Sequence, residues 1–137
     1  MLVYGLAIVG LYAGLNTLVL LWIAVSTGLL RGKYRIAIGD GGHPHLIRIL
    51  RGHANAMETV PMALILMLIM ATMGAPLMVL HGFGIALTVG RVLHAMHFIA
   101  QDAPRWQRQA GATLSLGVLF FAALGVIGHA VFLLVNA

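Results

Sequence analysis

"RGHANAMETVP" occupies residues 51–61, and "MALILMLIM" follows it directly at 62–70. The first stretch carries an arginine, a histidine, an asparagine and a glutamate. The second has no polar side-chain atom beyond thioether sulfur. A charged cluster therefore runs straight into a segment suited to hydrocarbon, and the pairing bears on both fold and site.

The rest of the chain matches the apolar half. Its 137 residues are 61% hydrophobic and 8% charged, with mean hydropathy +1.03. Soluble domains carry about 25% charged residues, so a water-soluble fold is excluded. A hydrocarbon core of about 30 Å needs roughly 20 apolar residues per helix, which leaves room for four spans in one domain, 1–137. The fold class is thus an all-α membrane protein, a four-transmembrane-helix bundle.

The spans lie where charge is absent. Residues 2–30 form helix 1, 46–73 helix 2, 77–100 helix 3 and 110–135 helix 4. "RGKYRIAIGDGGHPH" (31–45) and "QDAPRWQRQ" (101–109) are polar loops, and "GAP" (74–76) is a minimal turn. Helix 2 begins just after Pro44, where proline is well placed. The first span lacks a basic leader and is too long for a signal-peptide core, so it is expected to be retained.

Lys and Arg set the orientation. Arg31, Lys33 and Arg35 lie in the first loop and Arg105 and Arg108 in the third, while the 74–76 turn has none. The positive-inside rule places both basic loops in the cytoplasm and both termini outside. The formal charge of +5 is therefore a topology signal, and no soluble basic face exists for nucleic acid. Gly10 and Gly14 in helix 1, and Gly82, Ala86 and Gly90 in helix 3, form small-residue rows of the kind that let helices approach.

There is no cysteine. Disulfides, thiolate metal sites and a protein thiol nucleophile are excluded, so any thiol chemistry needs a ligand thiol.

Arg48, Arg51, Asn55 and Glu58 are spaced 3, 4 and 3. At about 100° per residue they share an arc of roughly 80°. Arg48 can snorkel to the interface. Glu58 lies about three turns into its helix, where an ionised carboxylate is costly and normally faces a bundle interior or watery cavity. It is a site candidate; the alternative is a structural ion pair with Arg51 or Arg91. Pro61 removes the donor for the Met57 carbonyl and is expected to open the bundle beside Glu58. In "GRVLHAMHF" (90–98), Arg91, His94 and Phe98 share a face, and Arg91 is placed to meet the helix 2 stripe. His94 and His97 lack an adjacent carboxylate, so no metal site is assigned.

"RILRGHANAMETVP" (48–61) resembles the helix 2 signature of the MAPEG family, the membrane-associated proteins in eicosanoid and glutathione metabolism. The matching residues are Arg51, Asn55, Glu58 and Pro61. "GRVLHAMHF" resembles the family's helix 3 segment and "DAPR" (102–105) its Ala-Pro loop. The resemblance implies a homotrimer with glutathione as co-substrate, bound between subunits at the cytoplasmic side. Arg31, Arg51, Asn55 and Glu58 would bind it, with Arg91, His94 and Phe98 lining the site. The chemistry is matched: guanidinium groups pair with carboxylates, Glu58 accepts an ammonium, and Asn55 bonds an amide or carboxylate.

The implied reaction is thiolate attack. A guanidinium lowers a thiol pKa from about 8.5 and so enriches the thiolate. The family's activating arginine falls on Arg105 when aligned without a gap, with Arg108 in reserve; aligning on Ala103–Pro104 places Asp102 there instead. Relatives usually carry tyrosines on helix 3 where this chain has His94 and Phe98. The compact "ETVP" form points to a bacterial, inner-membrane member. Its second substrate would be an apolar electrophile or lipid peroxide from the bilayer. Two other readings compete: a non-catalytic scaffold holding lipid or glutathione, and a small proton-coupled transporter using Glu58.

Overall fold

The computed structural model describes residues 2–136 and consists of four helices: α1 (Leu2–Tyr34), α2 (Pro44–Thr72), α3 (Leu77–Ile99) and α4 (Arg105–Val135). Each is long and apolar enough to cross a membrane. Helices suit that setting because lipid offers no partner for backbone N–H and C=O groups, which must bond within the segment.

Two helices extend well beyond their expected ends, and α2 begins two residues early, at Pro44. α1 continues through Arg31 and Lys33 to Tyr34, and α4 starts at Arg105 instead of 110. Charge ends a hydrophobic run without ending a helix. Arg and Lys are good helix formers, and Pro44 and Pro104 pre-set the first turns of α2 and α4. Arg105 and Arg108 thus project from a helix and not from a loop.

The 74–76 turn is closed by a Schellman motif. Gly74 N–H bonds Ala71 O at 3.3 Å and Ala75 N–H bonds Met70 O at 2.9 Å. Gly74 has φ +82°, which glycine adopts without strain, and Pro76 then prevents continuation.

α2 and α3 form the centre. α1 and α4 each pack against both of them and do not approach each other among the described residues. Ile8, Tyr12, Met67, Met70 and Leu80 pack near the 74–76 turn, and Val19, Ile23, Leu46, Ile49 and Ala95 at the loop end. Lipid is as apolar as these side chains, so packing and polar contacts hold the bundle more than hydrophobic burial does.

Of the glycines in the expected rows, Gly90 packs closely and the other three do not. Gly10, Gly14 and Gly82 meet open space, whereas Gly84 seats the Tyr12 ring and Gly52 seats Phe98. A Cβ on Gly111 would lie 2.6 Å from Gly90 O, so α3 and α4 nearly touch there. Spacing places small residues on a face; only the crossing decides which face is used.

Polar links join α1 to α3. Tyr12 Oη pairs with His81 Nδ1 at 2.9 Å. Buried Asn16 donates to Thr88 Oγ1 at 2.9 Å.

Candidate functional site

Near the loop end of the bundle, α2, α3 and α4 enclose an open cavity of about 440 Å³. Arg48, Arg51, Asn55, Glu58, His94, Phe98 and Arg108 line it. The helix 2 stripe supplies four of these residues through its helical spacing. α3 adds His94 and Phe98, whose rings lie 4.7 Å apart. Phe98 reaches α2 because Gly52 has no side chain: a Cβ there would fall 2.5 Å from Phe98 Cβ.

Arg91 lies behind this wall, 2% exposed. Its Nε donates to Ser115 Oγ at 2.8 Å, Nη1 to Asn55 Oδ1 at 3.0 Å and Nη2 to Gly111 O at 3.3 Å. The close approach of α3 and α4 at Gly90 and Gly111 brings that carbonyl within reach. A buried cation is tolerable when hydrogen bonds surround it. These bonds also dispose of the Arg91–Glu58 ion pair, since Arg91 is directed to Asn55, Ser115 and Gly111. Because Asn55 Oδ1 accepts from a guanidinium, its amide must present Nδ2, a donor, to any ligand.

Arg48 does not snorkel. Its Nε and Nη2 donate to His97 O at 3.2 and 2.7 Å, and Nη2 meets His97 Nε2 at 2.8 Å. His97 Nδ1 lies 3.2 Å from Pro104 O. A carbonyl only accepts, so Nδ1 carries the proton and Nε2 is free to accept from Arg48. Nothing in the helical spacing points to this link, because His97 is off the His94–Phe98 face and the bond depends on the α2–α3 crossing. Ser115 was missed for the same reason: a lone serine in an apolar span does not name its partner.

Arg31 and Arg105 lie apart from this cavity. Arg31 Nη1 donates to Ala37 O at 2.9 Å and so organises the first loop. Arg105 lines a second cavity of about 660 Å³ with Arg48, His97, Asp102 and Arg108. Of the two arginines considered for thiol activation, Arg108 is the one beside Glu58, His94 and Phe98 in the same chain. Arg51 and Glu58 are exposed on the outer face of α2. Other histidines serve the scaffold: His43 accepts from His45 N–H at 3.3 Å, and His45 Nε2 lies 2.8 Å from Ile99 O.

Comparison with known proteins gives concordant results. The MAPEG family model matches residues 9–128. The chain is 41% identical over 98 residues to Inner membrane protein YecN of Escherichia coli K12, covering 72% of this chain and 74% of that protein. The same identity and coverage hold for Inner membrane protein YecN of E. coli O6:H1. No solved structure matches.

Proposed function

The chain belongs to the MAPEG family, and on that premise we propose that it is an integral membrane glutathione-dependent transferase or peroxidase acting on apolar electrophiles from the bilayer. One observation carries the reading. A charged cavity holding three guanidinium groups, an amide donor and a carboxylate sits in an otherwise apolar bundle, and that donor set complements glutathione. Arg51 and Arg48 suit its carboxylates, Glu58 its ammonium, and Asn55 Nδ2 a carbonyl or carboxylate oxygen.

Arg108 stabilises the thiolate at the cavity wall, with Arg105 at the adjoining cavity as the second candidate. In the transferase reaction the sulfur lone pair forms the S–C bond, the leaving group departs with its electron pair, and the thiol proton passes to water. With a peroxide, two glutathione molecules supply the two electrons and end as the disulfide.

The exposed polar face of α2 supports assembly. Arg51 and Glu58 cannot face lipid cheaply, and a second copy laid against α2 covers them. A homotrimer, as the family implies, sets this cavity at a subunit boundary. By likeness to YecN, the chain resides in a bacterial inner membrane, with both basic loops cytoplasmic and both termini outside.

Calorimetry on detergent-solubilised protein tests the reading, with Arg51→Ala alongside. Glutathione binding that is lost in the variant, together with conjugation of chloro-dinitrobenzene, is the expected result. Absence of binding to the wild-type protein refutes it. One observation favours a non-catalytic scaffold instead: Phe98 offers no hydroxyl to the cavity. Binding without conjugation of any electrophile would select that reading.

A further inference from the structure

The 74–76 turn closes the end of the bundle opposite the charged cavity, and a separate pocket of about 220 Å³ lies against it. Met70 and Met73 reach the pocket from the end of α2, Val79 from α3, and Gly125, Val126 and His129 from α4. None of these residues lines either cavity at the loop end.

Helical spacing builds the pocket. Met70 and Met73 are three apart, so they sit on one face of α2 a turn from each other. Gly125 and His129 are four apart and align likewise on α4. A helical side chain lies back over the turn N-terminal to its own Cα, so His129 leans over Gly125, where no side chain stands in its way. The thioether end of Met70 comes to the same place: its methyl carbon is 4.0 Å from where a Cβ on Gly125 would be. A thioether and an imidazole thus meet at one glycine from two helices. Met73 is half-buried and the adjoining Gly74 exposed, so the pocket opens at the membrane boundary.

The side-chain heteroatoms lining this pocket are two thioether sulfurs and one imidazole, with no carboxylate. That set is uncharged and soft. Thioethers select Cu(I), and imidazole suits copper. Neutral ligands leave an ion's charge uncompensated, and the cost of placing it among apolar walls rises with the square of that charge. A monovalent soft ion is therefore favoured over Zn(II) or any hard divalent ion. Among the described residues no three His, Asp or Glu side chains gather to offer the harder alternative. The flexible methionine side chain lets each sulfur swing onto an ion without moving its helix.

We propose that Met70, Met73 and His129 form a binding site for a monovalent soft metal ion, Cu(I) or its analogue Ag(I), with two sulfurs and one ring nitrogen as ligands. The site needs neither glutathione nor the basic end of the bundle, so its fate and that of the proposed activity are decided separately.

The test uses the full-length protein in mild detergent, without glutathione and without oxygen, with Cu(I) supplied as its coloured bicinchoninate complex. The protein is expected to withdraw one Cu(I) per chain and bleach the complex. X-ray absorption at the copper edge should show sulfur and nitrogen neighbours together. Met73→Leu and His129→Phe each remove a ligand while keeping bulk, and each should weaken Cu(I) binding about tenfold or more; Met70→Leu should act in the same direction. Met78→Leu alters an exposed side chain outside the pocket and should leave affinity unchanged. Ag(I) should displace Cu(I), and Zn(II) should not. A complex that is not bleached overturns the site. So does wild-type affinity in both Met73→Leu and His129→Phe, or an equal loss in Met78→Leu, since scattered methionines and histidines would then account for the binding. Displacement by Zn(II) as effective as by Ag(I) overturns the soft-ion assignment and leaves an ordinary histidine site. If one variant fails to fold, the other and the competitor series decide.

Discussion

Arg91 on α3 donates from Nη1 to Asn55 Oδ1 on α2 across 3.0 Å. This bond joins the buried centre of the bundle to the charged cavity and fixes which end of the Asn55 amide a ligand meets. Asn55→Ala is expected to lower stability by about 1–3 kcal/mol, because Arg91 loses one partner while remaining buried. Thermal unfolding in detergent measures it. Asn55→Asp keeps an acceptor for Arg91 but replaces the Nδ2 donor, so it should hold stability while weakening glutathione binding.

Glu58 discriminates between binding and transport. Glu58→Gln should raise the glutathione Kd about tenfold, as expected for loss of one charge-assisted bond to an ammonium. Calorimetry gives the Kd, and uptake into proteoliposomes under a proton gradient gives the alternative. Abolished proton-coupled uptake with unchanged glutathione affinity would favour the transporter.

Gly52→Ala should displace Phe98, because the added Cβ would lie 2.5 Å from Phe98 Cβ. Overpacking of this kind costs about 1–3 kcal/mol. The cost should fall sharply in the Gly52→Ala, Phe98→Ala double variant, and a double-mutant cycle on melting data reads that coupling. Equal costs with and without the Phe98 ring would disprove the contact.

Phe98→Tyr places a hydroxyl where relatives carry tyrosine. Chloro-dinitrobenzene conjugation is expected to rise several-fold with little change in glutathione affinity. An unchanged rate would mean that this cavity does not use a hydroxyl at that position.

Arg108→Ala should shift the rising limb of the pH–rate profile toward the free-thiol value of about 8.5. A guanidinium favours the thiolate, so its loss raises the thiol pKa. The rate then falls most near neutral pH and recovers in alkali. A shift in Arg105→Ala, and none in Arg108→Ala, would assign the activation to Arg105.

The four spans were legible because apolar runs of this length have no other stable setting. The helix ends were less so: Arg31, Lys33 and Arg105 break hydropathy, yet their backbones continue as helix into the interface. The stripe from Arg48 to Glu58 was legible because helical spacing alone aligns it. The Arg48–His97 bond was not, since it joins residues 49 positions apart. It exists only where α2 crosses α3.

Composition and periodicity by themselves determined a four-span helical membrane protein with one polar stripe, because burial in lipid and a period of 3.6 are local constraints. Tertiary structure decided the rest. It turned Arg48 toward His97, enclosed Arg91 between Asn55, Ser115 and Gly111, and seated Phe98 against Gly52. It also set Arg108 at the cavity and Arg105 beside it. Those choices depend on crossing points between helices, and a crossing is a property of two surfaces that neither sequence segment contains alone.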